Sequence, residues 1–141
     1  MRHLLLSLLF IALSFTSLAA EDLGTAVYDS SESTITIFSM VRKNNVVTVK
    51  GKYDCNGEIG DYDVADAHQT GFLFDEEKGV KYFPLKDTNN KILASSPARL
   101  RKKGESSRFW VKFPAPPEEV TTISVYFTKY EPLDDLPITD K

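Results

Sequence analysis

The sequence predicts an all-β fold, an antiparallel β-sandwich of about seven strands. Three observations carry this. Short runs alternate apolar and polar residues with period two. Clusters of Asn, Asp, Gly and Pro punctuate those runs at regular intervals. No stretch of helix length shows the 3.6-residue repeat of an amphipathic helix.

The elements follow in order from Thr34. Thr34 to Val41 alternates, placing Ile35, Ile37 and Val41 on one face. Arg42-Lys43-Asn44-Asn45 ends that run, and its two Asn tolerate the left-handed backbone of a tight turn. Val46 to Tyr53 follows, with Val47, Val49 and Tyr53 inward and Thr48, Lys50 and Lys52 toward water. Two such runs across an Asn-rich turn read as a β-hairpin. Asp54 to Thr70 is the longest irregular stretch, rich in acids and glycine, and reads as one flexible loop. Gly71 to Phe74 and Val80 to Phe83 form a second hairpin, with Gly79 free to take positive φ. Phe72 and Phe74 are expected inside. A turn at Asp87-Thr88-Asn89-Asn90 precedes a short strand, Lys91 to Ala94.

Arg108 to Phe113 alternates again, with Phe109, Val111 and Phe113 inward. Pro114-Ala115-Pro116-Pro117 ends it, because proline cannot donate to a ladder. Val120 to Phe127 resumes with Ile123, Val125 and Phe127 inward, and the tail from Glu131 to Ile138 allows a short edge strand. Alternating strands of this number suggest an Ig-like sandwich, although the inter-sheet disulfide of antibody domains is absent and Trp110 comes late.

Residues 1–20 set the compartment. MRHLLLSLLFIALSFTSLAA has a basic start, an apolar run from Leu4 to Leu18, and small residues at its end. It is short for a bilayer span, which needs ~20 apolar residues, and reads as a cleaved secretory signal. The expected division is residues 1–20 as signal, 21–33 as an N-terminal segment and 34–141 as the Ig-like domain. The mature chain is then periplasmic or secreted, with no integral membrane segment after cleavage.

Sixteen of the 17 basic residues and all 20 acidic ones lie beyond residue 20, leaving a formal charge of −4. That balance argues against a nucleic-acid binder, which needs a basic face. Cys55 is the single cysteine, so no disulfide forms within the chain. It reads as a buried small hydrophobe or a loop thiol, with a Cys55-linked dimer as the other option.

Two stretches go further, GFLFDEEKGVKYFPLKDTNNKILAS and FWVKFPAPPEEVTTISVYFTKYEPLDDLPI. They resemble an uncharacterised family of bacterial extracytoplasmic Ig-like domains. The matching positions are Asp75, Tyr82, Pro84, Leu85 and Asp87, then Phe113, Pro114, Ala115, Pro116 and Pro117, then Pro132, Asp135, Pro137 and Ile138. In some relatives the domain precedes an OmpA-like peptidoglycan-binding domain, which implies envelope work. The resemblance transfers no catalytic residue. Read physically, the prolines fix an extended corner that redirects the chain between sheets. Asp75 and Asp87 accept turn N–H groups, and Tyr82 buries its ring while keeping its hydroxyl near a partner.

Chemistry is sparse. Asp61, Asp63 and Asp66 lie in an acidic stretch that could offer oxygen ligands to Ca²⁺, but Asp66 stands where an EF-hand needs glycine and Phe72 where it needs a bidentate Glu. The expectation is a solvated loop, with no cofactor. His68 is the sole histidine beyond the signal, and its spacing from Cys55 gives no support to a catalytic couple. Arg99 to Lys103 is basic and reads as a solvated connector, the other reading being a contact for an acidic partner or anionic lipid. The sequence therefore points to a non-catalytic protein-interaction module with a protein partner still to be identified. The alternative is a periplasmic immunity or inhibitor protein acting on a secreted toxin or enzyme.

Overall fold

The computed structural model describes residues 22–27, 33–57, 66–100 and 102–141. The expected signal at residues 1–20 lies outside the described residues, as do Asp61 and Asp63.

Two sheets pack around one apolar core. The first contains β1 (Gly24–Val27), β2 (Ser33–Lys43), β3 (Val46–Cys55) and β6 (Ser106–Pro114), in the order β1-β2-β3-β6. The second contains β4 (Phe72–Asp75), β5 (Val80–Tyr82), β7 (Thr122–Tyr126) and β8 (Leu133–Pro137), in the order β5-β4-β7-β8. One helical turn, α1 (Ala67–Thr70), precedes β4, and β9 (Thr139–Asp140) lies parallel to β2. The other pairings are antiparallel. Strand β1 falls within the 21–33 segment and extends the first sheet.

The β2–β3 hairpin turns on Asn44 and Asn45, at φ 53° and 61°. Two consecutive left-handed residues give the backbone twist that matches flanking strands. Gly79 turns the β4–β5 hairpin at φ 67°. The expected strand from Lys91 to Ala94 is reduced to two isolated bridges, Lys86 to Ile92 and Ala94 to Val111. Asn90 at φ 62° folds this segment tightly, and it lies along β6 instead. Leu85 N–H donates to Lys112 O, Lys112 N–H to Leu93 O, and Ser95 N–H to Trp110 O, each at 2.9 Å. An edge that would otherwise present unpaired backbone groups is thereby covered.

Of the residues expected inward, Ile35, Ile37, Val47, Val49, Tyr53, Phe109, Val111, Phe113, Ile123, Val125 and Phe127 are buried. Phe72 and Phe74 are not among them. Leu73 and Asp75 take the inward positions of β4, and the two Phe stand half-buried on the outer face. The run Phe-Leu-Phe-Asp has apolar residues in both phases, so alternation cannot choose between them. Aromatic neighbours on the outer face accept the larger rings. Phe72 stacks on Tyr126 with centroids 5.1 Å apart, and Phe74 meets Tyr126 edge-on at 6.0 Å.

The second correction is in β2. A register shift between Ile37 and Ser39 marks a β-bulge at Phe38. Beyond it Met40 and Arg42 turn inward, while Val41 is half-buried. One extra residue reverses which side every later side chain takes. Opposite the bulge, Gly51 is obligatory: a Cβ there would lie 2.2 Å from Thr36 O and 2.7 Å from the Phe109 ring.

The proline corner links the sheets as expected. Strand β6 ends at Pro114 in the first sheet, and β7 begins in the second. Arg42, brought inward by the bulge, holds this corner. Its Nη1 donates to the carbonyls of Pro117 at 2.8 Å, Val120 at 2.9 Å and Pro116 at 3.3 Å. Its Nη2 donates to Glu118 O at 3.1 Å and Asp140 Oδ2 at 3.0 Å, and Nε to Asp140 Oδ1 at 2.5 Å. A guanidinium satisfies this set because its donors sit in a rigid planar fork.

Candidate functional site

The stretch expected to be one flexible loop around Cys55 and His68 is partly core. Strand β3 runs through Cys55, and α1 carries His68 into the interior with none of its surface exposed. Tyr53 Oη accepts the His68 backbone N–H at 2.9 Å and lies 2.8 Å from Nδ1. His68 Nε2 is 2.9 Å from Ser95 O, and Phe109 stacks on the ring at 5.0 Å. Burial pushes the imidazole below its ordinary range, against the Ser95 carbonyl, which favours the charged form. Burial likewise pushes the Tyr53 phenol up. Cys55 is also buried, and its Sγ–H donates to Gly57 O at 3.0 Å. Each side chain is engaged with partners other than the other one, so the pair forms no nucleophile–base couple. An inter-chain disulfide at Cys55 needs local opening first.

Of the candidate Ca²⁺ ligands, Asp66 is exposed beside α1. Among the described residues no group of three or more His, Cys, Asp or Glu is placed to hold a metal. Asp75 Oδ1 accepts Lys78 N–H at 3.2 Å, and Asp87 Oδ1 accepts from Asn89 and Lys91 at 2.8 and 2.9 Å. Tyr82 and Pro84 are half-buried, Phe113 is fully buried, and Pro137 closes β8 on its exposed side. Pro114 is half-buried, Pro116 buried and Pro117 exposed.

The outer face of the first sheet carries the arrangement that packing does not explain. Here the register sets Lys50 opposite Trp110, Lys52 opposite Arg108 and Thr48 opposite Lys112. Like charges directly opposed across strands, as Lys52 and Arg108 are, are destabilising. Only Lys52 has relief, an ion pair with Asp54 at 3.0 Å. Among the described residues no carboxylate pairs with Lys50, Arg108 or Lys112. Arg108 instead lies over the Phe38 ring, 5.6 Å from its centroid, and Lys112 Nζ is 6.0 Å from the Trp110 ring. Cation–π contacts of this kind contribute about 0.5–1 kcal/mol at exposed sites.

Between these rings runs a groove of about 410 Å³, lined by Phe38, Ser39, Lys50, Gly51, Arg108, Phe109 and Trp110. The bulge creates it, because Phe38 and Ser39 both reach the groove from successive positions. Trp110 remains 39% exposed in mid-strand, on the outward phase of β6. The alternation of Arg108, Trp110 and Lys112 already put these residues outward. Only the cross-strand register shows that they join Lys50 and Phe38.

Comparisons with protein-family models, with curated proteins and with solved structures return no match.

Proposed function

We propose that the chain is a non-catalytic interaction module of the bacterial periplasm or extracellular space, built on an Ig-like sandwich, with the outer face of its first sheet as the recognition surface. One observation carries the reading. Trp110 and Phe38 flank a groove beside three cations, Lys50, Arg108 and Lys112, that no described carboxylate neutralises. Exposed aromatics and arginine are the residue types that anchor protein partners. The compartment follows from the signal-like residues 1–20 and the domain resemblance.

Two measurements test it. N-terminal sequencing of protein from an extracytoplasmic fraction should find a start at Ala20 or Glu21. An intact Met1 in the membrane fraction overturns the compartment. Affinity capture from the same fraction should retain a protein on the wild type that is lost on Trp110→Ala and Arg108→Glu. Capture unaffected by both changes overturns the choice of surface.

A further inference from the structure

We infer that the groove takes an acidic polypeptide segment carrying an apolar side chain, so that carboxylates meet Lys50, Arg108 and Lys112 while the apolar group settles between Phe38 and Trp110. This rests on the preceding reading and adds the partner's chemistry. Two features of the groove select it.

The first is charge. Beyond residue 20 the chain is acidic, at −4, yet the outer positions of β3 and β6 carry Lys50, Lys52, Arg108 and Lys112 against Asp54 alone. The described acids cluster elsewhere. Asp75, Glu76, Glu77, Glu119 and Asp135 line a separate recess near the β4–β5 turn, and Asp140 pairs with Arg42. A face that concentrates positive charge on an acidic molecule attracts an acidic partner and orients it. The second feature is the floor. Gly51, Phe38, Phe109 and Trp110 line it and its surface is mainly apolar, the Phe109 ring itself packing inward on His68. Arg108 and Lys112 sit over separate rings and do not converge on one point. A phosphate or sulfate would want converging donors. Alternating acidic and apolar side chains match cations spaced around an apolar floor.

The test uses Trp110 itself. It is the one tryptophan in the chain, so red-edge-excited emission reports this site alone. The probes are a glutamate–tyrosine copolymer, polyglutamate, heparin and vesicles of phosphatidylglycerol, titrated into the mature protein. The copolymer should change Trp110 emission saturably, with polyglutamate about tenfold weaker because it lacks the apolar group. Raising salt from about 0.05 M to 0.5 M should weaken the copolymer by roughly tenfold or more. Lys50→Glu and Arg108→Glu should each weaken it about tenfold, and Phe38→Ala should bring it down to the polyglutamate level. Lys103→Glu, a reversal in the exposed connector, should leave binding unchanged, and matched melting curves confirm that the variants fold.

Tighter binding to heparin or vesicles than to the copolymer overturns the inference. So does equal binding of copolymer and polyglutamate, loss on Lys103→Glu equal to loss on Arg108→Glu, or no response to any probe. Trp110 emission that changes on dilution alone identifies a second copy of the chain as the occupant and also overturns it. If capture from the extracytoplasmic fraction depends on Trp110 and Arg108 while the copolymer fails, the interaction module stands and the acidic-segment chemistry falls.

Discussion

Tyr53 and His68 are joined twice, once through the His68 backbone N–H at 2.9 Å and once through its ring Nδ1 at 2.8 Å. The Ser95 carbonyl beside Nε2 can only accept, so Nε2 carries the one ring proton of the neutral imidazole, and Tyr53 Oη, already accepting from the backbone, donates its own proton to Nδ1. Nδ1 is therefore the bare nitrogen, and Nε2–H donates to Ser95 O at 2.9 Å. The neutral imidazole satisfies this network completely, and a proton on Nδ1 would take away the acceptor of the Tyr53 proton.

Stability should accordingly fall in acid. Burial holds the folded imidazole below its ordinary range, so the unfolded chain takes up a proton first. The contribution is fully present above about pH 6.5 and is lost as pH falls from there toward the depressed folded value, at no more than about 1.4 kcal/mol per pH unit. Urea melts between pH 8 and pH 5, about the window that unperturbed histidine spans, should show the decline in the wild type and a flatter profile in His68→Gln. Parallel profiles would assign the decline to other groups.

Arg42 should be among the most sensitive polar positions. Arg42→Ala leaves the carbonyls of Pro116, Pro117, Glu118 and Val120 without their donor and should cost about 2–4 kcal/mol. Arg42→Lys should recover only part, because one ammonium cannot span that set. Its bond also holds the Asp140 carboxyl below the usual carboxylate range. That portion is present above about pH 4 and is lost as pH falls through the folded value. Denaturant melts of the two variants, repeated at low pH, check both statements.

The phase of β4 gives a sharp comparison. Leu73→Ala should cost about 2–5 kcal/mol, because Leu73 is fully buried. Phe72→Ala, on the half-buried outer face, should cost less despite the larger side chain. Val111→Ala and Ile123→Ala should cost on the order of 1–4 kcal/mol. A reversed order for Leu73 and Phe72 would put the strand back in the phase that alternation first suggests.

Cys55 should behave as an interior thiol. With 2% of its surface exposed, it should react slowly with an aromatic disulfide reagent in the native protein and rapidly in denaturant. Fast native labelling, or a dimer lost on reduction, would show that the β3 end opens readily.

Much of the architecture is legible in the residues. The Asn44-Asn45 turn, the β4–β5 hairpin and the crossing of the proline corner all follow from local backbone chemistry, where few conformations are allowed. What stays hidden depends on neighbours distant in sequence. Nothing in Thr34 to Val41 announces that Phe38 is an extra residue, since the cause is the close approach of Gly51 to Thr36. Arg42 looks like the polar end of a strand until the carbonyls of residues 116–120 are brought to it. His68 looks like a loop residue until Tyr53, Ser95 and Phe109 surround it. The groove is an intermediate case: each strand presents its outward residues openly, and only register unites them.

The bulge at Phe38 makes β2 a strand of two halves with opposite parity. Before it, odd-numbered residues look inward; after it, even-numbered ones do. Deleting Phe38 would restore uniform parity and leave Ser39, Met40 and Arg42 opposite Lys50, Val49 and Val47, so Arg42 would keep the corner while the groove lost the Phe38 ring. Deleting Met40 instead, with the bulge retained, would put Val41 inward and turn Arg42 to solvent. The exterior recess thus depends on one inserted residue and the interior lock on the spacing beyond it, so this strand should tolerate changes of identity far better than changes of length.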